Sequence, residues 1–174
     1  QTRDIIATAK AYVPQMKEEG ADLIIALCHS GIGGANAEDG MENAAIPLAG
    51  VDGIDAILTG HSHLVFPSSK YADITGVDTE AGTIGGKPGV MGGFWGSHMG
   101  LLDLLIERDG NSWRILSHTA EARPISKRNE DRSYTALAED YAPVLAAVSA
   151  EHEATLKYVR TAVGKTDAPL HSYF

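Results

Sequence analysis

Two short apolar runs constrain the fold of this chain, because each ends in a turn that holds glycine and histidine. Residues 23–28 (Leu-Ile-Ile-Ala-Leu-Cys) precede His29-Ser30-Gly31, and residues 54–58 (Ile-Asp-Ala-Ile-Leu) precede Thr59-Gly60-His61-Ser62-His63. A continuous apolar run of this length is typical of a strand buried within a sheet. In an open α/β sheet, ligands bind beyond the carboxyl ends of the strands. We therefore expect the three histidines to carry the chemistry.

The chain has 174 residues, which allows one domain with a sizeable core. Its hydrophobic content of 44% and mean hydropathy of -0.09 are typical of a globular protein. The formal net charge of -9 argues against a nucleic-acid or anionic-membrane surface, because both need a basic stripe. The single cysteine, Cys28, excludes an internal disulfide and is interpreted as a small apolar strand residue. Because the sequence begins at Gln1 without Met, we expect it to belong to a longer chain.

Helix and strand patterns alternate in the first third of the chain. Helical spacing of apolar residues predicts a helix over residues 4–19, capped by Asp4, ended by Gly20 and kinked or split at Pro14. A helix followed by a buried strand is half of a βαβ unit, so the pattern predicts an α/β fold. A short helix is predicted over residues 42–49.

The middle of the chain is predicted to be irregular and then antiparallel. Residues 67–88 are polar and glycine-rich, which predicts a long irregular connection. Strands are predicted over residues 90–94 and 101–107, the second buried on both faces because it is almost continuously apolar. Asp109-Gly110 is a hairpin signal, so residues 113–117 are predicted to return as the partner strand.

The last part of the sequence predicts a long amphipathic helix. Apolar residues at helical spacing extend over residues 134–159, with Pro143 expected to bend the helix and Gly164 to end it. Residues 170–174 are interpreted as a rigid aromatic segment that opens another unit.

Two glycine-containing segments approach phosphate-binding motifs but do not match them. In residues 31–36, the third glycine of G-x-G-x-x-G falls on Asn36, so this segment is predicted to be a flexible loop. In residues 163–166, the first glycine of the P-loop motif falls on Val159. Neither segment is predicted to bind a nucleotide phosphate.

The histidines favour a site for two cations. Cations in binuclear hydrolytic sites lie roughly 3.5 to 4 Å apart, so His61 and His63 can each serve a different cation, with His29 joining one of them. A single shared cation is the alternative if the backbone turns at these residues. Another alternative is that each ring only forms structural hydrogen bonds. His98 is a further candidate for the same crevice. The remaining histidines are interpreted as structural or surface residues: His118, His152 and His171.

At this point two segments resemble a known family. Residues 21–31 and 55–63 resemble the second half of the calcineurin-like metallophosphoesterase domain of the 5′-nucleotidase family. Residues 92–100 and 163–174 are similar to its bacterial periplasmic members that act on 2′,3′-cyclic nucleotides and 3′-nucleotides. The resemblance covers essentially the whole chain. It implies an α/β fold that is part of a β-sandwich flanked by helices (α/β/β/α) and ends in a long inter-domain helix.

The resemblance also implies a domain organisation and a site. Residues 1–130 would be the C-terminal half of the metallophosphoesterase domain, 131–163 a linker helix, and 164–174 the start of a nucleotide-binding domain. Two divalent metal ions of the Zn, Mn, Fe, Co, Mg or Ca class are implied. His29 and His61 would ligate the second ion and His63 the first, and no catalytic residue is assigned.

The implied reaction is hydrolysis of a small nucleotide by a metal-bridging hydroxide that attacks phosphorus, in a periplasmic enzyme. The D-x-H, G-D and N-H-E motifs of the family do not occur in these 174 residues, so we expect the isolated chain to be inactive. Two other classes of function stay open. One is a metal- or nucleotide-binding module without catalysis, and the other is a structural domain whose histidines are hydrogen-bonded to backbone.

Overall fold

Helices and strands alternate at the start of the chain and give way to a series of strands. The computed structural model describes residues 3–170 and 172. It divides after Leu137 into two compact units. The elements are α1 (Ile5–Glu18), β1 (Ile25–Leu27), α2 (Ala45–Ala49), β2 (Ala56–Thr59), β3 (Val65–Phe66), a 3₁₀ turn (Ser69–Tyr71), β4 (Val77–Asp78), β5 (Thr83–Ile84), β6 (Lys87–Gly92), β7 (His98–Asp109), β8 (Ser112–Pro124), β9 (Ser126–Arg128), β10 (Tyr134–Ala136) and α3 (Ala142–Val159).

Three parallel strands position the site. The main sheet has the order β1-β2-β6-β5-β4, and β3 also pairs with β6. β1, β2 and β6 are parallel, with Leu27 opposite Leu58 and Leu58 opposite Val90. β3 and β5 are antiparallel to β6. The carboxyl ends of the three parallel strands therefore meet at one edge, where the histidine-containing turns begin.

The core lies between this sheet and the first two helices. α1 and α2 turn their apolar residues towards the sheet, which removes the largest apolar side chains from water and supplies most of the stabilisation. The buried side chains of this core include Ile6, Val13, Ala45, Ile46, Leu48, Ala49, Ile54, Ile57, Phe66, Ile84 and Met91.

The predicted first helix is confirmed, with one exception. Asp4 caps α1 by accepting a hydrogen bond from the Ala7 N–H at 2.7 Å, and Gly20 follows the helix with φ of +98°. Of the two effects predicted at Pro14, a kink or a split, the split does not occur, because α1 runs through that residue as one helix. Pro14 and Lys10 are both exposed, so water can solvate the Lys10 carbonyl that loses its helical partner.

β1 corrects the expectation that both apolar runs are buried strands. Ala56 and Ile57 of β2 are fully buried, as predicted. In β1, however, Leu27 is 78% and Ile25 is 44% exposed. Within the described residues β1 pairs only with β2, so its other edge is open.

Residues 67–88 are more ordered than the sequence predicts. They contain the 3₁₀ turn, β4, β5 and the first residues of β6. Tyr71 and Ile84 belong to the buried core. Strands of two residues leave no readable periodicity, which explains the wrong prediction. The helix predicted over residues 42–49 is also shorter, because α2 begins at Ala45.

The hairpin predicted at Asp109-Gly110 is confirmed, and its strands are longer than predicted. β7 and β8 pair antiparallel, and Gly110 has φ of +62°. The predicted burial on both faces of β7 is wrong, because Leu105 is 60% and Ile106 is 41% exposed. The hairpin packs closely against the main sheet at the Gly100 end of β7. There a Cβ added at Gly100 would lie 3.1 Å from the Val90 side chain.

The second unit contains α3, which is shorter than the helix predicted over residues 134–159. Tyr134 and its neighbours instead form β10, which pairs with β9 in the first unit. Pro143 lies in the first turn of α3, where the missing N–H has no helical partner in any case, so the predicted bend is absent. The helix ends at Val159, before Gly164.

Several predictions about this part of the chain stay untested. His171, Tyr173 and Phe174, which belong to the predicted aromatic segment, lie outside the described residues. The domain boundaries at residues 130 and 163 also stay predictions. No helix among residues 3–170 and 172 is both long and apolar enough to cross a bilayer.

The open edge of β1 leads to a testable prediction. Exposed apolar edge strands pair with other chains, and lysine is the usual residue that prevents this. We expect Leu27→Lys to reduce concentration-dependent self-association of the chain in sedimentation velocity. Leu170→Lys is the control, since Leu170 is 82% exposed and lies outside the sheet. Equal self-association of Leu27→Lys and the unsubstituted chain would contradict the prediction.

Candidate metal centre

A buried serine joins the segments that carry the predicted ligands. Ser30 is fully buried. Its hydroxyl donates to the Glu42 carbonyl at 2.7 Å and accepts from the Ala44 N–H at 2.8 Å. Its carbonyl accepts hydrogen bonds from the Thr59 hydroxyl and from the Gly60 N–H. One residue thus connects the end of β1, the end of β2 and the loop before α2.

Glycines let this loop approach closely. The Gly31 N–H donates to Asn43 Oδ1 at 3.2 Å. A Cβ at Gly31 would collide with that oxygen, and a Cβ at Gly33 would collide with the Asn43 carbonyl oxygen. Two glycines of the loop predicted to be flexible, Gly31 and Gly33, therefore have a packing role. As predicted, no helix begins at them.

The turn after β2 places two histidines in a left-handed conformation. The Ser62 N–H donates to the Gly60 carbonyl at 2.7 Å, which closes a three-residue turn centred on His61. His61 has φ of +66° and His63 has φ of +58°. The φ of His61 matches the strained form of the γ-turn, and the φ of His63 lies in the left-handed region. For a residue with a side chain, each such conformation costs about 1–3 kcal/mol.

The histidine rings form one close pair and one stacked ring. The centres of His29 and His61 are 5.3 Å apart, with planes at 73°. Two imidazoles that bind one cation through bonds of about 2.1 Å place their ring centres roughly 5 Å apart, so this pair fits a shared cation. The His63 ring stacks on Phe94 at 5.0 Å and 15°. The structure therefore brings His29 and His61 together and fixes the ring of His63 against the loop after β6.

The described residues do not complete a metal site. No three His, Cys, Asp or Glu side chains within residues 3–170 and 172 are grouped closely enough to hold a metal ion. The assignment of His29, His61 and His63 as ligands stays a prediction. His98 contacts the Ser97 hydroxyl at 2.9 Å, and His118 contacts the Ala81 carbonyl at 2.7 Å.

One residue of the centre was missed by the sequence analysis. Glu42 Oε1 lies 2.8 Å from His61 Nε2. Glu42 belongs to no motif with either histidine-containing turn, and the helical spacing of residues 42–49 says nothing about where its side chain lies relative to His61. No signal in the sequence alone could have paired these two residues.

Curated relatives match nearly the whole chain. The 2′,3′-cyclic-nucleotide 2′-phosphodiesterase/3′-nucleotidase of Salmonella typhimurium is 39% identical over 170 residues, which are 98% of this chain and 26% of that protein. The trifunctional nucleotide phosphoesterase protein YfkN of Bacillus subtilis is 40% identical over 175 residues, 100% of this chain and 11% of that protein. The predicted resemblance is confirmed. No protein-family model matches the chain.

A solved structure agrees with these relatives. The calcineurin-like phosphoesterase YfkN from Bacillus subtilis aligns with a TM-score of 0.81 and 38% identity, over 92% of this chain and 46% of that one. The mixed α/β fold predicted from the resemblance is thus confirmed, and it corresponds to part of the fold of that solved structure. The chain spans only about a quarter of the length of the Salmonella relative.

Removing the Ser30 hydroxyl should destabilise the centre. Ser30→Ala leaves the Ala44 N–H and the Glu42 carbonyl without their partner, and an unsatisfied buried group costs about 1–3 kcal/mol. We expect a loss of this size in the free energy of unfolding measured with urea. Ser112→Ala is the control, because Ser112 is exposed and bonds only locally to the Asp109 carbonyl. Equal effects of the two substitutions would contradict the linking role of Ser30.

Cys28 should be unreactive in the folded chain. The residue directly follows β1, and burial raises the pKa of its thiol. A raised pKa lowers the fraction of thiolate, which is the reactive form. We expect slow modification by Ellman's reagent near pH 8 and fast modification after unfolding. The readout is unambiguous because the chain has one cysteine, and a native rate equal to the unfolded rate would refute the prediction.

Proposed function

We propose that these residues are part of a two-metal phosphoesterase that hydrolyses 2′,3′-cyclic nucleotides and 3′-nucleotides. The observation that carries the proposal is the His29–His61 pair at the carboxyl ends of two adjacent parallel strands. The names of relatives at 38–40% identity support a nucleotide as the substrate class. The proposal concerns the whole protein that contains this chain.

The histidines would hold the metals. His29 and His61 would ligate one divalent cation and His63 the other, in agreement with the ring separation of the first pair. When bound, such cations stabilise the charge that develops on phosphoryl oxygens and provide a nucleophile at neutral pH. Imidazole nitrogen suits several divalent cations, so the donor set does not select one metal.

The backbone around the histidines supports a functional role. His61 and His63 both occupy conformations that glycine would adopt without cost. Strained residues of this kind cluster at functional sites, where the surrounding structure maintains them. Here Ser30 holds Gly60, and Phe94 holds the His63 ring. The backbone strain at His61 and His63 thus lowers the stability of the fold, while the surrounding contacts hold the two imidazoles in place.

We propose further that the substrate is a free small nucleotide and that the protein acts in the periplasm. The negative net charge disfavours a polyanionic partner such as nucleic acid, whereas a small phosphate ester needs only a local cationic centre. The periplasmic location rests on the family resemblance alone.

A non-catalytic metal- or nucleotide-binding module is the second candidate. It rests on the His29–His61 pair, since two imidazoles can bind a cation without completing a hydrolytic centre. The two candidates differ in one measurable property: both bind metal through His61, but only the enzyme cleaves a phosphate ester.

Metal content tests the proposal. We expect Zn or Mn to remain with the 174-residue chain after dialysis and to be lost from His61→Ala/His63→Ala, as measured by mass spectrometry. His152→Ala is the matched control, because His152 is an exposed histidine on α3. Equal bound metal, well above background, in the chain and in the double variant would exclude these histidines as ligands.

Activity separates the two candidates. A chain in which these 174 residues replace the aligned part of the Salmonella relative supplies the rest of that protein. The enzyme proposal expects release of phosphate from a 3′-nucleotide, which the double histidine variant abolishes. Retained metal binding without hydrolysis in this chain would favour the binding module.

A further inference from the structure

Glu42 meets one of the proposed ligands directly. Its Oε1 lies 2.8 Å from Nε2 of His61. The Glu42 side chain is 74% exposed and that of His61 is 36% exposed, so the contact adds little to stability. A pair that contributes so little to folding can still decide how the imidazole is oriented.

The backbone that carries Glu42 is held at several points. The Glu42 carbonyl accepts from the Ser30 hydroxyl, and the next two residues bind the same loop. Asn43 accepts from the Gly31 N–H, and the Ala44 N–H donates to Ser30. The carboxylate therefore extends from a fixed backbone, and its position beside His61 follows from the same buried contacts that join β1 to β2.

A carboxylate at this position selects one form of the neutral imidazole. Neutral histidine carries a single N–H, and an ionised carboxylate only accepts hydrogen bonds. The contact with Glu42 therefore favours the proton on Nε2 of His61. Nδ1 is then unprotonated and has the lone pair that a metal needs. Histidines that bind metals commonly donate their other N–H to a carboxylate in this way.

We infer that Glu42 is a positioning residue, which holds His61 in the Nε2–H form and so keeps Nδ1 available for a metal ion. The inference rests on the proposed metal role of His61. It assigns to Glu42 no contact with the metal or the substrate.

Three substitutions separate this role from simpler ones. Glu42→Ala removes the acceptor, whereas Glu42→Gln keeps an acceptor oxygen and removes the charge. Glu38→Ala removes an equal charge from the same loop. The Glu38 side chain is exposed and forms no hydrogen bond with any other residue that the structure describes, so this variant is the matched control.

The first measurement is the tautomer of His61 in the metal-free chain of 174 residues. Nitrogen-15 NMR distinguishes the Nε2–H form of a neutral imidazole from the Nδ1–H form. We expect the Nδ1–H share of His61 to be smallest in the unsubstituted chain, Glu42→Gln and Glu38→Ala, and to rise in Glu42→Ala. An unchanged tautomer in Glu42→Ala would overturn the inference.

The second measurement is the affinity for Co²⁺ in the same variants. We expect Glu42→Ala to weaken binding by about 10–100-fold, Glu42→Gln to restore most of it, and Glu38→Ala to have no effect. Equal losses in Glu42→Ala and Glu42→Gln would overturn the positioning role and make Glu42 a ligand. Unchanged affinity in His61→Ala would overturn the proposed metal site itself, and the tautomer measurement distinguishes that outcome from a failure of Glu42 to orient the ring.

Discussion

The buried hydroxyl and carbonyl of Ser30 are the contacts on which the candidate centre depends. They join two strand ends and one loop that are far apart in the sequence, and they do so with no exposure to water. Hydrogen bonds of this kind are strong in a dry environment and costly to leave incomplete. The strands could pair without Ser30, but the backbone segments that carry His29, His61 and Glu42 would then lose the hydrogen bonds that hold them together.

The sequence predicted those parts of the fold that local patterns determine. The apolar run of β2, the Asp4 cap of α1 and the hairpin turn at Gly110 are all confirmed. Burial was predicted less well. Leu27 and Leu105 lie in apolar runs that resemble buried strands, yet both are exposed, because exposure depends on what covers each edge and face. Residues 134–136 have helical spacing but pair with β9, since tertiary pairing overrides propensity.

The centre was predictable to the extent that sheet geometry alone positions it. His29 and His61 meet because parallel neighbours end at the same edge of a sheet. Two features were beyond the sequence. Glu42 reaches His61 through a loop that is held by side-chain contacts, which leave no periodic trace. The sequence allowed a turn at these residues, but it did not show that the histidines themselves adopt positive φ. At His61 the turn is closed by the hydrogen bond from the Ser62 N–H to the Gly60 carbonyl.

The strained turn around His61 and His63 also means that stability and chemistry oppose each other at these two positions. Glycine or asparagine would occupy the same backbone at lower cost, so a selection for heat resistance alone would tend to replace both imidazoles. An engineer who improves this scaffold would have to hold both positions constant and seek stability elsewhere, for example at the open edge of β1. The positive φ angles of His61 and His63 thus identify two positions at which a stabilising substitution would remove the proposed activity.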